Sequence, residues 1–372
     1  MVADRHSQFI ARLTPPGDVL ALIETRVNSV MPRKCALSDA AGGILAEDVV
    51  VAEQPTRAIA LRDGFALEAA SVADATSYSP VPLASLPQRV DAGDALPDGT
   101  DAVAQRDSIV VRGQAAEAIA PVAPGEGVLW QGGDASSRVP LRRAGERLRE
   151  VDVAVLAALG ISEVIVRSPR IVVRCGSARR TRIIDAALDM LVRFVAGAGG
   201  RVTDARSAAG LFDQPLKDAD AVVAVGGTGT GRNDEAVQAL ARRGQVEVHG
   251  IAVSPGETAA FGFIGQRPVL LVPGRIDAAL AVWLLIGRHL VAKLAGGTVD
   301  DVAAMLPLRR KVSSAIGTTE LVPVVCSAGT AEPLASGYLS LTALARSDGW
   351  IVVPPDSEGF AAGTPVAVRP WP

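Results

Sequence analysis

The β-branched run 220–225 empties directly into Gly226-Gly227-Thr228-Gly229-Thr230-Gly231, and a helical pattern follows from about Asn233 to Arg243. A strand that ends in glycines and opens a helix is one step of a βαβ unit, and such units close only into a largely parallel sheet with helices on both faces. The step recurs. A strand at 171–174 leads through Cys175-Gly176-Ser177-Ala178-Arg179-Arg180 into a helix with Ile183, Ile184, Ala187, Leu188, Leu191, Val192 and Val195 on one face, closed by Gly197, Gly199 and Gly200. Residues 201–205 read as the next strand, and 268–272 as another that leads through Pro273-Gly274-Arg275 into a helix over 277–295. A three-layer α/β domain is therefore expected.

The flanks read differently. Before about residue 150 there are short extended runs, 47–51, 108–112 and 115–119, broken by Asp-Ala-Gly-Asp and Pro-Asp-Gly turns. A helix over 149–158 stops at Gly160, and a strand at 161–166 precedes Pro169. After residue 300, candidate strands at 321–326, 350–353 and 366–369 suggest a small β module. The chain's 372 residues hold two to four domains at roughly 150 residues each.

With 37 Lys+Arg against 40 Asp+Glu, the net charge of −3 lacks the basic excess of a general nucleic-acid binder. Cys35, Cys175 and Cys326 are odd in number and far apart, which argues for a reducing compartment and against a disulfide framework. His6, His249 and His289 are equally scattered, and no Cys/His spacing suits zinc. The N-terminal Asp4 and Arg5 leave no apolar signal region, and the apolar run 278–287 is short for a bilayer span and reads as a core helix. The expectation is a cytoplasmic protein without a membrane segment.

Ligands of open α/β sheets sit beyond the carboxyl ends of the strands. Three loops leave such ends: 175–180 with Ser177, Arg179 and Arg180; 226–234 with Gly226, Gly227, Thr228, Gly229 and Asp234; and 273–277 with Pro273, Gly274 and Arg275. In the middle loop glycines expose backbone N–H groups, and the following helix offers its positive end to an anion. Read as ordinary structure, the same loop is a flexible turn with Asn233 or Asp234 capping the helix. It fits neither the Rossmann fingerprint, since Arg232 stands where the third glycine belongs, nor the Walker form, which ends in Gly-Lys-Ser/Thr. The arginines suit phosphate, or are a solvated pair near a helix start. Asp63 in Arg62-Asp63-Gly64 and Asp134 in Gly132-Gly133-Asp134 have turn signatures; as a pair, such carboxylates could hold Mg²⁺ beside a phosphate.

Taken in order, these segments resemble the molybdopterin molybdenumtransferase family, the MoeA type related to the E domain of gephyrin. Residues 41–49 resemble its "GRVLAEDV" element, and Arg62-Asp63-Gly64-Phe65-Ala66 its "MDGYA" turn. Residues 91–103 are similar to "TGAPLPEGADAVV", Gly132-Gly133-Asp134 to "GED", and 156–160 to "LLASLG". Gly226-Gly227 stands where the family has "SGGVSVGxxD". Ser254-Pro255-Gly256 with Ala260-Phe261-Gly262 resembles "KPGKPLAFG", Pro273-Gly274 heads "PGNPVS", and 337–368 resemble the closing β domain.

The resemblance implies an elongated homodimer of four domains: an N-terminal linker and dimerisation domain (1–45 with 137–169), a β-rich protruding domain (46–136), an α/β molybdopterin-binding domain (170–300) and a C-terminal β domain (301–372). It implies adenylated molybdopterin and molybdate as substrates, Mg²⁺ as cofactor, AMP release as molybdenum enters the dithiolene, and service to a molybdoenzyme partner. Asp63, Asp134 and Asp234 become candidate catalytic residues, Asp63 and Asp134 also metal ligands. Ser177, Arg179, Arg180, Gly226, Gly227, Thr228, Gly229, Pro273, Gly274 and Arg275 become pterin or phosphate contacts. Three loops depart from the family. "STGDEL" is replaced by 175–180 without its acids, "PGNPVS" by Pro273-Gly274-Arg275-Ile276-Asp277-Ala278, and "GGVSVG" by a loop closer to that of molybdopterin adenylyltransferases. A non-catalytic carrier or insertion factor for molybdopterin, and a pterin-adenylating enzyme, are the alternatives.

Overall fold

The computed structural model describes residues 10–204, 211–212, 216, 218–231, 234–299 and 301–372. These divide into two compact units, one of 48–143 with 158–160 and one containing the rest.

The α/β domain of the larger unit contains the four strands the sequence predicts and a hairpin that it does not. Its strands are β1 (Arg170–Cys175), β2 (Arg201–Asp204), β3 (Ala221–Val225), β4 (Gln245–His249), β5 (Ala260–Ile264) and β6 (Arg267–Val272), in spatial order β2-β1-β3-β6-β5-β4. The first four run parallel, while β4 and β5 add an antiparallel hairpin that makes the sheet mixed. β3 is buried along its whole length, as a strand covered on both faces must be. Val223, Val225, Leu270 and Val272 pack on one face against Ala187, Leu188, Leu191 and Val195 of helix α1 (Arg182–Gly197). Val222, Ala224, Val269 and Leu271 pack on the other face against Ala236 and Leu240 of α2 (Ala236–Arg243). The alternation of side chains along the strands thus splits the core into two clusters.

Helix α3 (Ile276–Ala295) is 20 residues long and apolar enough to meet the length and composition test for a membrane span, yet most of it is buried inside the fold, as a core helix is. It begins one residue before the expected Asp277 and carries a π-helical turn at Trp283–Gly287. A Cβ on Gly287 would run into the Trp283 ring. The expected strand at 47–51 does not form: only Val49 makes an isolated bridge, to Arg142, so this β-branched run lacks a ladder partner. Residues 205 and 233, ends of an expected strand and helix, lie outside the described residues.

Around this domain, Arg33–Ala36, Glu163–Arg167 and Ile44–Leu45 form a three-stranded antiparallel sheet. The strands Thr319–Ser327, Gly349–Val353, Pro365–Pro370 and Ala304–Pro307 form the C-terminal β domain around Val322, Val324, Ile351 and Val353. The smaller unit holds two three-stranded antiparallel sheets, one around Gly64–Leu67 and one around Ala115–Ala118.

Candidate functional site

The register of the parallel strands brings three loops to one rim. Cys175 pairs with Val225, and Val225 with Val272, so all three strands end level. The chain then bonds across the rim: Gly176 N donates to Val225 O and Gly226 N to Val272 O, each at 2.8 Å. The strand order reverses here as well, β1 leading outward to β2 and β3 lying on its other side, which is the switch point where such sheets bind ligands. The loops meet backbone to backbone. Gly226 and Gly227 have φ of +86° and +74°; a Cβ on Gly227 would strike the Gly176 carbonyl oxygen, and one on Gly274 would lie 3.3 Å from Gly226 Cα.

Below this rim Thr228 is fully buried, its Oγ1 2.9 Å from Thr258 Oγ1. Its carbonyl oxygen lies 3.0 Å from His249 Nε2. Because a carbonyl only accepts, Nε2 carries the proton. The Asp234 carboxylate turns back into its own loop, where Oδ2 accepts from Gly231 N at 2.9 Å. The helix cap is therefore not Asp234: Glu235 occupies that position without a side-chain bond. Asn233 and Arg232 fall outside the described residues.

The rim arginines are not equivalent. Arg180 is paired with Asp185, just inside α1, whose first turn is capped by Thr181 Oγ1 accepting from Ile184 N at 3.3 Å. Arg275 forks onto buried Asp277, with Nε 3.0 Å from Oδ1, and lies 4.4 Å above the Tyr338 ring. The Asp277 hydrogen bond is the main cause holding its guanidinium pKa above the usual arginine value. Arg179 is exposed, and its backbone N donates to Ser177 Oγ at 3.3 Å; among the described residues its guanidinium has no ion-pair partner. Its charge remains for an incoming anion. Pro273 is buried at the end of β6, and Cys175 Sγ donates to Ser177 O at 3.4 Å. Arg174, which the sequence did not single out, is buried, donates to Leu211 O at 2.7 Å, and has its pKa lowered by that burial.

Three family profiles match in succession across nearly the whole chain: the MoeA N-terminal region (domain I and II) over 14–160, the "Probable molybdopterin binding domain" over 163–293, and the MoeA C-terminal region (domain IV) over 305–371. The chain belongs to the MoeA family. It is 24% identical over 343 residues to a molybdopterin biosynthesis protein of Methanocaldococcus jannaschii, covering 83% of this chain and 84% of that one. It is 25% identical over 226 residues to the molybdopterin molybdenumtransferase of Haemophilus influenzae, covering 56% of each. Among solved structures, the moeA protein of Pyrococcus horikoshii superposes with a TM-score of 0.75 at 24% identity, over 97% of this chain and 100% of that one. A molybdenum cofactor biosynthesis protein of Pyrococcus furiosus gives 0.61 at 20% identity, over 97% of this chain and 100% of that one. At these identities the likeness fixes the MoeA fold.

The two remaining MoeA-type candidates belong to the smaller unit. Asp63 is exposed, and its Oδ1 accepts from Ala92 N at 2.8 Å, pinning the turn at 91–94. Its neighbour Arg62 holds Val103 O and Glu126, and the Arg62 hydrogen bond pulls the Glu126 pKa below the usual carboxylate value. Gly64 is required there, since a Cβ would meet the Ala104 carbonyl oxygen. Asp134 is exposed, and its backbone N donates to Gln54 O at 2.9 Å. A hard Mg²⁺ wants several oxygen ligands, and among the described residues no group of three or more His, Cys, Asp or Glu could hold a metal ion. Asp63 and Asp134 would therefore hold Mg²⁺ only together with water or substrate oxygens.

Proposed function

We propose that the chain is a molybdenumtransferase of molybdenum cofactor biosynthesis. On this reading it holds adenylated molybdopterin at the β1/β3/β6 rim and releases AMP as molybdenum passes from molybdate to the pterin dithiolene. MoeA membership implicates cofactor biosynthesis and molybdopterin binding. The observation that carries the finer reading is the rim itself: three glycine-bearing loops packed main chain to main chain against the N-terminal Ala236 of α2, with the uncommitted Arg179 in the first of these loops. Such a surface suits a flat ring system with a phosphate, because nothing projects between the ligand and the backbone, and the helix end and guanidinium favour the negative charge.

The residues divide the work. Gly226, Gly227 and Gly274 shape the floor, with Thr228 locked beneath them by Thr258 and His249. Arg179 meets the phosphate. Asp234 holds its loop closed, and Arg180 and Arg275 brace the rim through Asp185 and Asp277. Asp63 and Asp134 are the proposed carboxylates of the chemical step.

AMP release from adenylated molybdopterin, with molybdate supplied or withheld in Mg²⁺ buffer, tests this. Molybdate-dependent release is expected. Tight binding without release would overturn it in favour of the second reading, a carrier or insertion factor, which the acid-free loop 175–180 favours. The homodimer and the molybdoenzyme recipient are part of the same proposal.

A further inference from the structure

We propose that the larger unit carries a second anion site, for the phosphate or a like oxyanion of a small ligand, in a cleft lined by Arg33, Lys34 and Arg201. The cleft has a volume of about 450 Å³, within the range of roughly 300–1,000 Å³ that takes small molecules. It lies at the opposite end of the sheet from the rim: Arg201 opens β2, whereas the glycine loops leave the carboxyl ends of the strands. Its ligand is therefore not the pterin of the proposed reaction, and the inference stands without that reading.

Three observations carry the proposal. The lining holds three cations against a single carboxylate, Asp39. Lys34 is shared with Glu163 at 3.3 Å, but Arg33 and Arg201 are exposed, and among the described residues neither guanidinium has an ion-pair or hydrogen-bond partner. Two uncommitted guanidinium groups lining one cleft repel each other unless an anion lies between them, and their planar forks match a tetrahedral oxyanion. The glycine-rich wall packs main chain against main chain, since a Cβ on Gly199 would lie 2.8 Å from Gly42 O and one on Gly43 3.0 Å from Ala40 O, which holds the 40–43 and 199–201 segments of the lining together.

Hydrogen exchange of the full chain, titrated with inorganic phosphate, molybdate and AMP in separate arms, provides the test. Slowed exchange is expected in peptides covering 33–43 and 196–201. The double variant R33Q/R201Q should need about tenfold more of the same probe, the loss expected for a charge-assisted contact, while melting as wild type does. Tighter binding of AMP than of phosphate would assign an organic phosphate; equal binding would assign the free oxyanion. Protection confined to 175–180 and 226–231, or unchanged in the double variant, would overturn the proposal and leave the rim reading untouched. Should R33Q/R201Q melt early, R201E alone is the substitute, with the same shift required.

Discussion

Replacing glycines of the 226–231 loop by alanine tests the rim, because a new Cβ meets a different neighbour at each position. At Gly227 the φ of +74° costs a side-chain-bearing residue about 1–2 kcal/mol. The new Cβ also meets the Gly176 carbonyl oxygen, which is backbone and cannot rotate aside. Relief requires the two loops to part, endangering the Gly176 N to Val225 O and Ala236 N to Gly227 O bonds, each worth about 1 kcal/mol net. The expected loss is about 3–4 kcal/mol. At Gly226 the φ term recurs at +86°, but the nearest atom is the Ser177 Cβ at 3.1 Å, so about 2 kcal/mol suffices. At Gly229 a Cβ would lie 2.7 Å from Asp234 Oδ2, a side-chain end that swings away and surrenders one hydrogen bond, about 1 kcal/mol. At about 2–4 °C per kcal/mol for a unit of this size, Gly227→Ala should melt about 10 °C below wild type, with Gly226→Ala and then Gly229→Ala above it. Differential scanning calorimetry reads the order. A Gly227→Ala protein melting within about 2 °C of wild type would refute the backbone contact, and with it the preformed rim.

Other perturbations separate binding from scaffolding. Arg179→Ala should weaken molybdopterin binding about five- to tenfold, more at low salt. Arg180→Ala should lose the half-exposed pair with Asp185, worth about 0.5 kcal/mol of stability, and leave the binding isotherm less affected than Arg179→Ala; equal effects of the two on the binding isotherm would refute the assignment. His249→Phe leaves the buried Thr228 carbonyl unpaired and should cost about 1–3 kcal/mol and loosen the pterin, with His249→Gln recovering part of both; a Phe variant as tight and stable as wild type would dismiss the latch. Asp301, bonded to Arg369 at 2.7 Å and to Arg288 at 3.1 Å, has its pKa pulled from 3.8 to about 2, chiefly by the Arg369 hydrogen bond. A depressed carboxyl pKa stabilises the fold above the unfolded value and loses that contribution as pH falls from about 4 toward 2. Asp301→Asn should flatten this part of the melting curve, partly masked by the pair's exposure; an unchanged acid limb would count against it.

The β-branched strands, glycine exits and 3.6-residue spacing of α1 made the α/β domain legible, since each element's local preference agrees with its burial. The β4–β5 hairpin escaped because its signal is broken from inside. Gly262 interrupts β5 where Gln245 O approaches, and a glycine within a strand reads as a turn. The run at 47–51 misled for the opposite reason: its side chains suit a strand, but only a partner makes one, and Val49 alone finds Arg142. The cap at Asp234 failed because a short carboxylate can bond its own loop instead of the helix. At the rim the cations were visible in sequence, but their pairing with Asp185 and Asp277 was not, so Arg180 and Arg275 looked as available as Arg179.

A rim made of main chain keeps its shape whatever its side chains become, so loss of acidic groups from 175–180 leaves binding and turnover separable. Asp63 offers the cleanest separation. Its Oδ1 accepts from Ala92 N, a bond an asparagine oxygen can keep, so Asp63→Asn removes the charge and preserves the turn. On the transferase reading, molybdate-dependent AMP release should fall about a hundredfold or more, the scale of a lost catalytic carboxylate. Molybdopterin affinity should hold within about twofold, because on this reading the pterin rests on Gly226, Gly227 and Gly274. The turn should melt as before. Unchanged turnover would mean that Asp63 serves only the 91–94 turn. Turnover and affinity lost together would place Asp63 in binding, and would favour a carrier over a transferase.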